Sequence, residues 1–456
     1  MNRKSQQGNF LKSTIGLLSL ISAISLQQAS ASPDIERWST SNGATVLYVH
    51  TPDLPMVDVR VIFDAGSARD GKQSGIASMT NALLSAGAGE RGEEAIAETI
   101  GSLGAVLGAS SLRDMAVVSL RSLSDERLLN SALEVTADLI HRPYFPESAF
   151  ERERNRQLIG IQAQKQSPST IASKKFFRMM YGSHPYAEPS GGTEQSVKSI
   201  KRNNLKSFHA RYYVGNNALV AIVGAVDRGR AKEIAEQVVG ALPAGEAAAE
   251  IAAPITAQAG EEEYIEYPSV QSHILLGHPV VKRGDIDYFD LYVGNHILGG
   301  SGLVSKISEE VRENRGLAYS AYSYFSPMRR AGPFQAGLQT KNESRDEALE
   351  VLRKTIADFI EHGPALDDLE NSKKNITGGF PLRIDSNKKI VSYLGVIGFY
   401  GLPDSYLDDF NRKINAVSAA SIKDAFKRRV RPAEMVTVIV GGEVKKKSAI
   451  EEKDVH

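Results

Sequence analysis

Residues 116–140, AVVSLRSLSDERLLNSALEVTADLI, and residues 334–360, FQAGLQTKNESRDEALEVLRKTIADFI, are two versions of one pattern. Each begins with a strand-like run (AVVSL, FQAGL), passes an acidic turn and continues into an amphipathic helix. The helices close on Ala137-Asp138-Leu139-Ile140 and Ala357-Asp358-Phe359-Ile360. Two more landmarks repeat in the same order, roughly 215 residues apart. The alternating run Val57-Asp58-Val59-Arg60-Val61 leads into GSARDG, and Val270-Gln271-Ser272-His273-Ile274 leads towards KRGDID. The apolar run NNALVAIVGAV carries Gly224, and AEMVTVIVGG carries Gly441. Three ordered matches predict an α+β fold made by tandem duplication. Each unit should be a mainly antiparallel sheet with helices on one face. The two units, residues 32–242 and 261–443, should face each other like a clam shell across a binding space. Residues 243–260, PAGEAAAEIAAPITAQAG, read as a flexible linker, and the charged residues 444–456 as a frayed tail.

The chain has 456 residues, with 54 Lys and Arg balanced by 54 Asp and Glu, so no strong field favours nucleic acid. The basic cluster KRRVRP at 427–432 has no interleaved aromatics and reads as a solvated helix end. The absence of cysteine excludes disulfides, thiolate zinc sites and a cysteine nucleophile. Residues 1–31 have the pattern of a signal peptide: Arg3, Lys4 and Lys12, then STIGLLSLISAISL, then Ala29-Ser30-Ala31. An uncleaved anchor is the alternative. The expectation is an exported protein, periplasmic if the source is Gram-negative, with no stable membrane insertion.

Residues 311–325, VRENRGLAYSAYSYF, hold the most pointed chemistry. A helical run carries Arg312, Gly316 makes the turn, and a strand begins near Tyr319. A planar fork of donors and a hydroxyl converging on one point suit a peptide carbonyl or a carboxylate. The plainer alternative is a surface ion-pair arginine and a core tyrosine. Of the nine histidines, no two have metal-ligand spacing with a carboxylate nearby, and no G-x-S-x-G elbow is present.

AGSARDGKQSGIASMTNALL (65–84), HPYAEPSGGT (184–193), YYVGNNALVAIVGAVD (212–227), LGGSG (298–302), VRENRGLAYSAYS (311–323) and YGLPDSYL (400–407) together resemble the insulinase/pitrilysin-type zinc peptidases. The resemblance is to the subfamily that includes mitochondrial processing peptidase and its bacterial relatives, and it implies two homologous α/β-roll domains. Catalytic members carry His-x-x-Glu-His on a helix, with a distal Glu completing the zinc site. Carried over onto this sequence, the histidine positions hold Ser78 and Ala82, the general-base position Asn81, and the distal position, within a residue or two, Gly160. Ser, Ala, Asn and Gly supply neither a zinc ligand set nor a base. The resemblance also makes Arg312 and Tyr319 the pair that holds the substrate backbone, and residues 104–111, GAVLGASS, the counterpart of a substrate-pairing strand edge. The expectation is a noncatalytic, substrate-binding subunit of a heterodimeric zinc metalloendopeptidase that cleaves peptides. It would bind no metal or other cofactor itself, and a partner chain bearing the zinc motif would supply zinc. The alternative is a peptide-binding or structural scaffold with no proteolytic role.

Overall fold

A computed structural model describes residues 33–255 and 258–443. The signal-like segment and the charged tail lie outside these residues. The strands, in chain order, are β1 (Glu36–Ser39), β2 (Thr45–His50), β3 (Met56–Phe63), β4 (Gly87–Ala88), β5 (Arg91–Gly92), β6 (Val106–Ser111), β7 (Ala116–Leu123), β8 (Ala218–Gly224), β9 (Glu262–Glu266), β10 (Gln271–Val281), β11 (Ala318–Phe325), β12 (Gly332–Lys341) and β13 (Val436–Gly441). Of the two large sheets, one runs β1-β2-β8-β3-β7-β6 and the other, read from the equivalent end, runs β9-β13-β10-β12-β11, while β4 and β5 pair as a small ribbon.

Apart from β1, the two orders coincide strand for strand. Each sheet has one parallel pair, β2 with β8 and β9 with β13, and is otherwise antiparallel. The duplication therefore extends to the hydrogen-bond pattern. AVVSL and FQAGL lie on β7 and β12, and the helices after them are Glu126–His141 and Arg345–His362. Asp125 caps the first of these, its carboxylate accepting from the Leu128 N–H at 3.0 Å.

One face of the first sheet packs as expected. Val57, Val59, Val61 and Phe63 of β3 join Val118, Leu120, Val220 and Ile222 against Leu129, Leu133 and Ile140 of the helix Glu126–His141. The opposite face is also covered, by a helix from the other half. Leu47, Val49, Ile62, Val117, Leu219 and Val223 cluster with Ile390, Val391, Leu394 and Ile397 of the helix Asn387–Tyr400. Gly395 and Gly398 let that helix sit close, since a Cβ on either would come within 2.6 Å of Ile62 or Leu219. The exchange is reciprocal: Phe176, Met179 and Met180 of the helix Pro168–Tyr181 pack on Leu275, Val436, Val438 and Val440 of the second sheet. Helices thus lie on both faces of each sheet, the second face being filled by the opposite half. A central strand buried on both faces reads as a continuous apolar run, as ALVAIVG does in β8.

Polar contacts hold the halves in register. Buried Asp114 accepts from Tyr186 Oη at 2.6 Å, Tyr400 Oη at 2.9 Å and the Arg329 N–H at 2.8 Å. Asp64 pairs with Arg69 at 2.7 Å and with Arg329 at 3.2 Å. Residues 248–252 of the connecting segment, expected to be flexible, are strapped down instead. Ile251 is buried, the carbonyls of Ala249, Ile251 and Ala252 meet Arg69, Arg330 and His184, and the Ala248 N–H donates to Asn217. Its Ala and Gly content suggested slack, but side chains distant in sequence hold its backbone.

Candidate functional site

The helix Ile76–Ala82 starts at Gly75, which at φ +97° has a backbone that suits glycine. The Asp70 carboxylate accepts from the Gly75 N–H at 2.7 Å and the Ala77 N–H at 3.0 Å. Burial pushes the Asp70 carboxyl up to about 7, against the pull of those two donors. Ser78 and Ala82, four apart, share a helix face. Ser78 is half-buried and Ala82 exposed. Asn81, i+3 from Ser78 at the edge of that face, is 1% exposed, and its amide lies 3.4 Å from Tyr213 Oη and 3.5 Å from the Val117 carbonyl. Gly160 is half-buried within the helix Glu147–Gln164, and a Cβ built on it would meet nothing within 4 Å. Seven residues earlier on that helix, Glu153 is tied to Arg156 at 2.6 Å.

A zinc ion therefore does not fit this constellation, which offers one hydroxyl and no imidazole or free carboxylate. Among the described residues, no group of three or more His, Asp or Glu side chains is placed to hold a metal. Six histidines spend a ring nitrogen on other partners. Those of His50, His141, His184 and His209 lie 2.9 to 3.0 Å from backbone carbonyls. His278 accepts from the Arg431 N–H at 3.0 Å, and His296 lies 3.1 Å from Ser372 Oγ.

In the second half the structure brings Arg312 and Tyr319 together. Arg312 lies on a wide π-type turn, Glu309–Glu313, where the sequence suggested an ordinary helix end. Buried Val311 anchors this turn, and the Gly316 N–H returns to the Arg312 carbonyl at 2.8 Å. Gly316, at φ +62°, reverses the chain into β11. The register of β11 against β12 slips between Ala318 and Ser320, making Tyr319 the extra residue of a bulge. Bulges re-aim side chains, and Tyr319 is 83% exposed instead of lying in the core. The Arg312 guanidinium carbon sits 4.7 Å from the Tyr319 ring centroid, and its ion pair is a loose one, 3.4 Å to Glu313. The pair thus presents a fork of donors braced on a ring, with a hydroxyl beside it.

Both sheets end in matching free edges. β6 is the outer strand of the first sheet, with Val106 64% exposed, and β11 is the outer strand of the second. Sequence reasoning read Tyr322 and Tyr324 only as strand residues beside Tyr319; along β11 they stack on each other with centroids 5.8 Å apart and planes 8° apart. Their i, i+2 spacing on a strand was the available signal.

A duplicated sheet unit of this order, with exchanged helices and a helix at the usual zinc position, defines the insulinase type of architecture. Residues 45–194 match the family model described as insulinase (peptidase family M16), and residues 199–376 the model described as peptidase M16 inactive domain. The crystal structure of a peptidase M16 inactive domain from Pseudomonas fluorescens superimposes with a TM-score of 0.88 at 39% identity, over 91% of this chain and 99% of that one. This chain belongs to the M16 peptidase family. Two bacterial relatives carry opposite descriptions. "Uncharacterized zinc protease YmxG" of Bacillus subtilis is 25% identical over 84% of this chain and 93% of its own. "Non-peptidase homolog YmxG" of Helicobacter pylori is 26% identical over 88% and 93%.

Proposed function

We propose that this chain is the noncatalytic, substrate-binding member of a two-chain zinc endopeptidase of the processing-peptidase type. Its partner is a chain of similar two-sheet design that carries His-x-x-Glu-His and the zinc. One observation carries this reading. Ser78, Asn81, Ala82 and Gly160 leave the zinc position without ligand or base, while Arg312 and Tyr319 stay together on an exposed bulge. A chain serving only as a scaffold has no need to hold an arginine fork and a tyrosine hydroxyl out to solvent. In this role Arg312 donates to the carbonyl of a bound peptide and Tyr319 Oη donates beside it. They fix the bond to be cut in one orientation, and such positioning lowers a barrier by settling orientation before reaction. The Helicobacter relative described as a non-peptidase homolog fits the reading. The signal-like residues 1–31 fit a complex that works outside the cytoplasm, in the periplasm if the source is Gram-negative.

The test is co-expression with a zinc-motif sibling from the same genome, followed by size-exclusion chromatography and a peptide-cleavage assay. The expected result is a stable pair that cleaves peptides, with neither chain active alone. A sibling that is fully active without this chain would overturn the reading and leave the scaffold role in its place.

A further inference from the structure

Between the helix Tyr288–Asn295, the wide turn His296–Gly300 and strand β11 lies a cavity of about 630 Å³. By position after β10, the counterpart of β3, this helix is the second half's counterpart of Ile76–Ala82, so the cavity lies beside the duplicate of the degenerate zinc helix. Tyrosines 288, 292, 322 and 324 line it, with Arg283 and Arg383, and no Asp or Glu is among the lining residues.

The charges do not balance. Arg283 spends one donor on the Pro327 carbonyl at 3.1 Å and lies 5.6 Å from the Tyr400 ring centroid. Arg383 lies 5.9 Å from the Tyr292 ring centroid. Nearby carboxylates are committed elsewhere. Asp285 pairs with Arg429 at 3.0 Å, Asp287 with Arg428 at 2.7 Å and with Arg429 at 2.6 Å, and Asp290 accepts from Ser421. Two guanidinium forks thus line a tyrosine-rich hollow that has no acid among its lining residues, a donor set that matches a carboxylate.

We propose that this cavity is a subsite for a carboxylate of the bound peptide, either its C-terminus or an acidic side chain. The proposal rests on the peptide-binding reading above. The strand ties the two sites together: β11 has a free edge, Tyr319 stands at its start, and Tyr322 and Tyr324 reach the cavity. At about 3.3 Å per residue, an extended peptide paired to that edge places its carboxylate roughly 10–16 Å, or three to five residues, from the carbonyl held at Tyr319.

The test uses the full chain and a fluorescein-labelled decapeptide of Ala, Ser, Leu and Gln in three forms: C-terminal amide, free acid, and amide with a single Glu. Fluorescence anisotropy gives each affinity. At least one carboxylate form should bind about tenfold tighter than the neutral amide, and which form does so identifies the source. Arg383→Gln should bring the ratio close to one, whereas Arg383→Lys, which keeps the charge, should retain part of it. Equal affinity of all three forms for the wild type would overturn the proposal. If no form binds, the peptide reading itself fails. N-acetylglycine, titrated by tyrosine fluorescence, then decides the cavity on its own: saturable binding abolished by Arg383→Gln supports it, and no binding overturns it.

Discussion

The helix Ile76–Ala82 and the turn Glu309–Glu313 occupy different halves and illustrate two fates of a functional element. The helix keeps its fold completely, with a glycine start, a buried carboxylate at its N-terminus and buried Ile76, Ala77 and Met79, although its chemical positions hold Ser78, Asn81 and Ala82. The turn keeps its chemistry in a costlier form, a π-type turn followed by a bulge that places an aromatic ring in water. Packing alone explains the helix. Packing does not explain Tyr319, because an exposed ring contributes little to the core. An exposed ring braced by Arg312 is what the proposed contact with a bound peptide would require.

The comparison breaks most severely if the exchanged helices are weakened. Leu394→Ala in the helix on the first sheet should cost about 2–5 kcal/mol, and Phe176→Ala in its reciprocal about 3–5 kcal/mol. Chemical denaturation should show both in one cooperative transition. Two separate transitions would mean that the halves unfold independently. Next in size is the attempt to rebuild the zinc helix. Asn81→Glu puts a carboxylate into the Tyr213 pocket and should cost roughly 1–3 kcal/mol, while Ser78→His and Ala82→His on the open face should stay within about 0.5 kcal/mol. Thermal melts of the three single variants give this ranking directly. An undisturbed Asn81→Glu protein would show that the position opens to solvent after all.

At the turn the effects should be reversed, small on stability and large on rate. Arg312→Ala and Tyr319→Phe should each melt within about 0.5 kcal/mol of wild type. Each should slow cleavage by the reconstituted pair at least about tenfold, as expected when a charge-assisted or hydroxyl contact in the transition state is lost. The double variant should lose less than the product of the single losses, because both residues hold the same group. Wild-type rates in both single variants would remove the reason for singling out this turn.

The smallest effect is on pH dependence, and the halves share it. Burial pushes His209 in the first half and His278 in the second down to about 4. The unfolded chain, with histidine near 6.5, therefore binds more protons than the folded one between those values. Their contribution is complete above pH 6.5 and is lost as pH falls towards 4. Asp70 acts in the opposite sense, since its carboxyl is raised to about 7. Its contribution is present below pH 4 and is lost as pH rises through 7. In protein with labelled histidine rings, the resonances of His209 and His278 should remain at their neutral positions down to pH 5. Ordinary titration near 6.5 would show that these rings are not buried neutral.

Much of this architecture was legible in the sequence because duplication writes each element twice, so that AVVSL and FQAGL confirm each other as β7 and β12. The exchanged helices were not. A helix packed across halves has the same amphipathic pattern as one packed at home, and only the unbroken apolar run of β8 hinted that its sheet was covered on both faces. The Arg312–Tyr319 pair was readable from spacing and motif, but the bulge that exposes Tyr319 is a register effect with no local signature. The burial of Asn81 was equally hidden, since its partner Tyr213 is far away in sequence. Arg283 and Arg383 escaped notice because their significance lies in the acids they lack, which only three-dimensional neighbours reveal.

The reciprocal loan of helices also bears on self-sufficiency. A single repeat would leave one face of its sheet, the side of Leu47, Ile62 and Leu219, bare to water. It would be folded only while a second copy lent it a helix and took one in return. A unit on its own would need a second copy bound to it, and carrying both in one chain makes that association intramolecular.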